Sequence, residues 1–137
     1  MKVIAGIYKG RNIDTIKDST TRPMMGIARE GIFNTLQFSF ENANVLDLFA
    51  GSGSMGIEAL SRGAKYVTFI DNSPDCIRQI NKNLEEYKND YSVIKLDVSN
   101  YINEVASKFD IIFYDPPFEY STEVINVEIN EIRNNLN

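Results

Sequence analysis

Val45 to Phe49 is a continuous apolar run broken by one charged residue, Asp47. A strand with one wet face alternates apolar and polar residues. An unbroken run instead belongs to a strand covered on both faces, as in a parallel sheet between helices. Gly51, Gly53 and Gly56 follow, and Met55 to Arg62 reads as a short helix closed by Gly63. The pattern then recurs. Tyr66 to Ile70 reads as a second strand, and Ser73-Pro74 as a helix N-cap and first helical residue. Ile77, Ile80, Leu84 and Tyr87 step by three, four and three, an amphipathic stripe. Val93 to Leu96 is a third strand and Ser99 to Ala106 a short helix. Phe109 to Tyr114 is a fourth strand, apolar except for Asp110, and Ile125, Ile129, Ile132 and Leu136 give a last helical stripe. This alternation predicts an α/β fold with a parallel sheet and helices on both faces.

The residues before this pattern read differently. Lys2 to Tyr8 is a short strand, Lys9-Gly10 a turn, and Arg11 to Ile16 the returning strand of a hairpin. Arg22-Pro23 opens a helix expected from Met24 to Phe40, with Ala28, Ile32, Leu36 and Phe40 at four-residue spacing and Phe33 beside them. The chain therefore divides into an amino-terminal hairpin and helix, residues 1–40, and an α/β core, residues 41–137. Charge divides it too. Residues 1–30 carry six basic and three acidic side chains, and the remaining 107 carry eight basic and sixteen acidic. A basic start on an acidic body is a candidate footprint for nucleic acid, although the net charge is −5.

Some chemistry is excluded by what is missing. The 137 residues contain no histidine, so Ser-His-Asp and Cys-His catalysis and the common histidine-based zinc sites are ruled out. One cysteine, Cys76, allows no internal disulfide, and a reducing, cytoplasmic setting is the expectation. No apolar run approaches the roughly 18 residues of a membrane span, and the first residues lack a signal-peptide core.

Ligands of an open α/β sheet bind beyond the carboxyl ends of its strands. Four segments fall there. Gly51, Gly53 and Gly56 fit the G-x-G-x-x-G dinucleotide pattern, and Asp47 beneath them is a buried carboxylate that needs donors or a cationic ligand. Asp71 ends the second strand, where it can accept both hydroxyls of a ribose. That ribose occurs in NAD and in S-adenosyl-L-methionine alike, so the pair does not separate them. Asp97 follows the third strand and can accept from an adenine amino group. Asp115-Pro116-Pro117-Phe118 follows the fourth. Its prolines fix the backbone and leave carbonyls free to accept. A carboxylate beside a carbonyl can take both hydrogens of a planar exocyclic amino group, and the aromatic can stack on a base. Such amines are weak nucleophiles, so holding one against a reactive methyl group is the main need.

With these motifs the chain resembles a class I S-adenosyl-L-methionine-dependent methyltransferase of the amino-N-methylating kind. It is most similar to the RsmD family, the 16S rRNA (guanine-N2)-methyltransferases. The likeness includes Ile4-Ala5-Gly6-Ile7-Tyr8-Lys9-Gly10-Arg11, Arg22-Pro23 and Arg29-Glu30-Gly31-Ile32-Phe33-Asn34. It continues through Leu46-Asp47-Leu48-Phe49-Ala50-Gly51-Ser52-Gly53, Glu58-Ala59-Leu60-Ser61-Arg62-Gly63-Ala64 and Asp115-Pro116-Pro117-Phe118. The resemblance implies a Rossmann-like sheet of order 3-2-1-4. Asp47, Ala50, Gly51 and Gly53 would line the methionine part of S-adenosyl-L-methionine, Asp71 would hold the ribose and Asp97 the adenine edge, with Phe49, Ser52, Asn72 and Val98 as further cofactor contacts. Asp115 and the Pro116 carbonyl would orient guanine N2 in a catalytic loop that includes Pro117, and Phe118 would stack on the flipped-out base. Lys9, Arg11, Arg22 and Arg29 would contact phosphates. The implied partner is 16S rRNA in the small ribosomal subunit or its assembly intermediate, with a guanine of the 966 type as target.

The chain departs from the family at Met24, where threonine is usual, and at Gly26, where aspartate is frequent. It also stops in the helix after the fourth strand, whereas family members run on to a fifth strand and a terminal hairpin. Strand four is then expected to be an exposed edge, open to dimerisation. Beside the rRNA methyltransferase, the readings left open are an inactive S-adenosyl-L-methionine-binding fragment, an adenine-N6 or other amino-group methyltransferase, and a small NAD-dependent oxidoreductase.

Overall fold

A computed structural model describes residues 1–16, 25–104, 108–116 and 122–137. Its core is a parallel sheet of β1 (Asn44–Leu48), β2 (Tyr66–Asp71), β3 (Asp90–Lys95) and β4 (Ile111–Tyr114), in the order β3-β2-β1-β4. The expected order 3-2-1-4 is borne out. The helices are α1 (Met25–Thr35), α2 (Ser54–Ser61), α3 (Pro74–Asn83), α4 (Val98–Glu104) and α5 (Thr122–Arg133).

The apolar runs explain the layering. Side chains alternate across a strand, so an all-apolar strand feeds two cores. Val45, Val67, Phe69 and Phe113 join Ile57, Leu60, Ile80 and Leu84 on one face. Leu46, Leu48, Ile70 and Ile112 join Val98, Ile102 and Ile132 on the other. Asp47 shares the parity of Val45 and therefore lies on the α2 side. The helix α3 starts as the sequence reading has it. The Ser73 hydroxyl accepts from the Cys76 amide at 3.4 Å, Pro74 follows, and Asp75 and Lys82 complement the two ends of the helix dipole.

Four expectations need correction. The opening hairpin is reduced to one antiparallel bridge, Lys2 to Asn12, and residues 5–10 form turns. Gly6 bends the chain at φ +91°, and the amides of Ile4 and Ala5 donate to the Glu58 carboxylate at 2.8 and 3.1 Å instead of to a strand. The first helix ends at Thr35, not Phe40, and buries Arg29 and Phe33 while Ile32 stays exposed. Phe40 packs back on Phe33 from beyond the helix, with ring centroids 5.0 Å apart. On α3 the apolar stripe outlasts the helix: Leu84 is its C-cap, and Tyr87 is buried in the following loop. On α5, among the described side chains, Glu128 and Ile132 are buried, whereas Ile129 is exposed.

Among the described residues of the first forty, Val3, Tyr8, Ile13, Phe33 and Phe40 all belong to the α2-side core. At the outer side of β4, Phe109 makes a parallel bridge with Leu136. The Phe109 amide donates to the Asn135 carbonyl, and the Asn137 amide to the Phe109 carbonyl, both at 2.8 Å. No described helix is long and apolar enough to cross a membrane.

Candidate active site

Parallel pairing puts the ends of all four strands at one edge. Leu48 is level with Ile70 on β2 and Tyr114 on β4, and Asp71 is level with Lys95 on β3. The segments Phe49–Gly53, Asp71–Asn72, Asp97–Val98 and Asp115–Pro116 leave from that edge. Arg22, Pro117 and Phe118 lie outside the described residues.

The turn after β1 is made by left-handed backbone at Phe49 (φ +54°), Gly51 (φ +61°) and Gly53 (φ +84°). For Phe49, a residue with a Cβ, that conformation costs about 1 kcal/mol. Its half-buried ring meets the Tyr114 ring edge-on at 5.5 Å. Gly51 and Gly56 have different duties. A Cβ on Gly51 would meet nothing within 4 Å, so the turn faces open space there. A Cβ on Gly56 would lie 2.3 Å from the Phe69 ring, so Gly56 lets α2 sit close on β2.

The glycine amides are already engaged. The Gly51 amide donates to Asp71 Oδ2 at 2.9 Å, the Gly53 amide to the Ala50 carbonyl at 2.8 Å, and the Gly56 amide to Asp47 Oδ2 at 3.0 Å. The Ala50 amide donates to the Ile70 carbonyl at 3.0 Å and ties the turn to β2. Dinucleotide folds point such amides at a pyrophosphate. Here two of the three glycine amides end on carboxylates, and the site suits a cation better than an anion.

Asp47 is 2% exposed, and its carboxyl is pushed up to about 8. Burial is the main cause. The Gly56 amide pulls the other way, and the charges of Asp71 and Asp115 raise it further. Asp47 is therefore mostly protonated at neutral pH. Asp71 is half-buried. Its Oδ1 accepts from the Ser73 amide at 2.9 Å, so one carboxylate holds the glycine turn and the start of α3 together. Asp97 is exposed, and its Oδ1 accepts from the Ser99 amide at 3.0 Å at the start of α4, where Val98 is buried. Asn72 and Asp115 are exposed, and Ser52 and Pro116 half-buried. Among the described residues no group of three or more His, Cys, Asp or Glu could hold a metal ion.

The basic candidates do not share one fate. Lys9 and Arg11 are exposed, and the Arg11 guanidinium lies over the rings of Tyr8 and Tyr87, at 4.6 and 5.3 Å from their centroids. Arg29 is a correction: it is 4% exposed and turned inward. Its Nη2 is 2.7 Å from Glu58 Oε1, and its Nη1 donates to the Lys2 carbonyl at 3.2 Å. Sequence reasoning missed the hub this creates. Glu58, fully buried on α2, pairs with Arg29 and with Arg62 (2.9 Å) and accepts the amides of Ile4 and Ala5. The available signal was Glu58 and Arg62 at i, i+4, with Glu58 set between Ile57 and Ala59.

The fold, with its acid-lined strand ends, is that of the Rossmann-like methyltransferases. A ribosomal protein L11 methylase from Lactobacillus delbrueckii subsp. bulgaricus shares it, with a TM-score of 0.69 at 20% identity over 95% of this chain and 64% of that one. The family is narrower. The model described as Conserved hypothetical protein 95 matches residues 1–136, and the chain belongs to that family, the RsmD family. Ribosomal RNA small subunit methyltransferase D of Haemophilus influenzae is 35% identical over 126 residues. That match covers 88% of this chain and 65% of the relative, so the chain spans about two thirds of the relative's length. The solved structure of yhhF from Escherichia coli superposes with a TM-score of 0.87 at 31% identity, covering 98% of this chain and 73% of that one.

Proposed function

We propose that the protein is an S-adenosyl-L-methionine-dependent rRNA methyltransferase that modifies the exocyclic N2 of a guanine in 16S rRNA. The observation that carries this reading is the placement of Asp115-Pro116. They follow directly on Tyr114, which is level with Leu48, so they stand beside the glycine turn, and the Asp115 charge reaches Asp47 beneath that turn. Family membership and the relatives' rRNA methyltransferase names support the substrate class.

The residues fit the cofactor. The turn faces open space at Gly51, and the surrounding acids favour a ligand bearing a sulfonium and an ammonium. Asp47, Phe49, Ala50, Gly51, Ser52 and Gly53 would hold its methionine end. Asp71 and Asn72 would hold the ribose, and Asp97 and Val98 the adenine. Asp71 spends two acceptor sites on backbone amides and Asp97 one, and both retain others, because a carboxylate offers about four. The bound cofactor supplies an electrophilic methyl group. The chain's part is orientation: the Asp115 carboxylate and the Pro116 carbonyl accept the two N2 hydrogens and aim the nitrogen lone pair. Pro117 stiffens this loop, and Phe118 stacks on the base. Lys9, Arg11 and Arg22 contact phosphates of 16S rRNA, in the small subunit or its assembly intermediate.

The test is methyl transfer to unmodified small subunits, with nucleoside analysis of the product. N2-methylguanosine is expected, and N6-methyladenosine would replace the guanine assignment. Asp115→Ala should lose activity yet bind S-adenosylhomocysteine as the parent does; normal turnover by that variant overturns the reading.

A further inference from the structure

Asn83, the last residue of α3, uses its side-chain amide to join two segments far apart in sequence. Its Nδ2 donates to the Ser52 carbonyl in the glycine turn at 3.0 Å and to the Asp14 carbonyl at 3.0 Å. Its Oδ1 accepts from the Asp14 amide at 3.2 Å and from Gln79 Nε2 at 3.1 Å. A primary amide has two donors and two acceptor lone pairs, and all four are used. Asp14 is thus gripped through both backbone groups by the residue that also holds the turn.

The grip falls where the amino-terminal segment leaves the core. Ile13 is buried in the core and anchored by its amide to the Met1 carbonyl at 2.7 Å, but Asp14 and Thr15 are exposed. A cavity of about 620 Å³ is lined by Asp14 and Ile16 on one side and by Arg78, Gln79 and Lys82 of α3 on the other. Among the described residues, the Asn83 amide is the hydrogen-bonded link across this gap between segment and helix.

We propose that Asn83 is a positioning residue that couples the glycine turn to the amino-terminal segment, so that a ligand on the turn stiffens residues 14–16. Coupling is reciprocal, so order imposed on the segment by RNA would raise affinity at the turn by the same factor. The proposal rests on reading the turn as the cofactor site.

Amide hydrogen exchange with and without S-adenosylhomocysteine tests it, in the parent chain, Asn83→Ala, Asn83→Asp and Gln79→Ala. Gln79→Ala removes one bond to the amide and leaves the bridge intact. In the parent and in Gln79→Ala the ligand should slow exchange severalfold at residues 51–53 and at 14–16. In Asn83→Ala the effect should persist at 51–53 and vanish at 14–16. Asn83→Asp, which sets a carboxylate oxygen against two carbonyls, should behave the same and serves if the alanine variant does not fold. Ligand affinity should fall roughly threefold to tenfold in both, the worth of one hydrogen bond. Equal slowing at 14–16 in both Asn83 variants overturns the proposal, as does no slowing there in a parent chain that binds the ligand. If the parent binds no ligand, the cofactor reading fails instead. The unliganded comparison then decides the link: Asn83→Ala must speed exchange at both segments, and a change at one alone overturns it.

Discussion

Asp47→Asn isolates the cost of burying an acid under the glycine turn. The folded-state carboxyl sits at about 8 against an ordinary 3.8, so folding favours its protonated form. The sign follows from proton binding. Between these values the folded chain holds a proton that the unfolded chain has released, so stability falls as pH rises. Stability from this group is complete below about pH 4 and lost as pH approaches 8. Over pH 5 to 7 the slope should be about 1.4 kcal/mol per pH unit, or roughly 2 to 3 kcal/mol in all. That window is unusually clean in this chain. There is no histidine to titrate, and burial raises the Cys76 thiol above its ordinary 9.0. Urea unfolding followed by far-UV circular dichroism at pH 5, 6 and 7 reads the slope directly. The asparagine variant keeps an acceptor for the Gly56 amide but cannot ionise, so its stability should be flat. A flat parent profile, or the same slope in both proteins, would refute the assignment of a neutral Asp47.

The remaining predictions are of three kinds. A cation bound above Asp47 should drive off its proton: titrating S-adenosyl-L-methionine at pH 7 in buffers of different ionisation enthalpy should show release of a substantial fraction of one proton in the parent and none in Asp47→Asn. Glu58→Ala leaves Arg29 and Arg62 uncompensated and the amides of Ile4 and Ala5 without their acceptor. It should cost about 3–5 kcal/mol in urea unfolding. Gly6→Ala places a Cβ 1.9 Å from the Ser61 carbonyl oxygen at φ +91°, and should cost at least about 2 kcal/mol while releasing the Ile7 amide to exchange.

The sheet was legible because its signals are local. Apolar runs at Val45–Phe49, Tyr66–Ile70 and Phe109–Tyr114, separated by turn residues and caps, can be read without knowing their neighbours. The Ser73-Pro74 start of α3 is legible for the same reason. The opening hairpin was misread because Lys2–Tyr8 has strand composition, but its amides are claimed by Glu58 and Ser61, more than fifty positions away. Arg29 was misread alongside it. A basic residue in a basic segment looks like a phosphate contact until the partner carboxylate is seen. Asn83 gave no signal at all: one asparagine at a helix end matters only through what the fold brings to both sides of it.

Glu58 and Asp47 carry that contrast into the site itself. Both are acids on the α2 side of the sheet, and both are almost wholly buried. Glu58 is answered from within the chain by two guanidinium groups and two amides, which makes it part of the framework. Asp47 has the Gly56 amide and two further acids within electrostatic reach, Asp71 and Asp115, and it keeps its proton instead. An acid held neutral mainly by burial, and further by neighbouring acids, is poised to respond to positive charge arriving from outside the chain. In sequence the two are a Glu and an Asp eleven residues apart, each set among apolar neighbours. What separates scaffold from candidate site is the origin of the compensating charge, and only the three-dimensional placement of Arg29, Arg62, Asp71 and Asp115 reveals it.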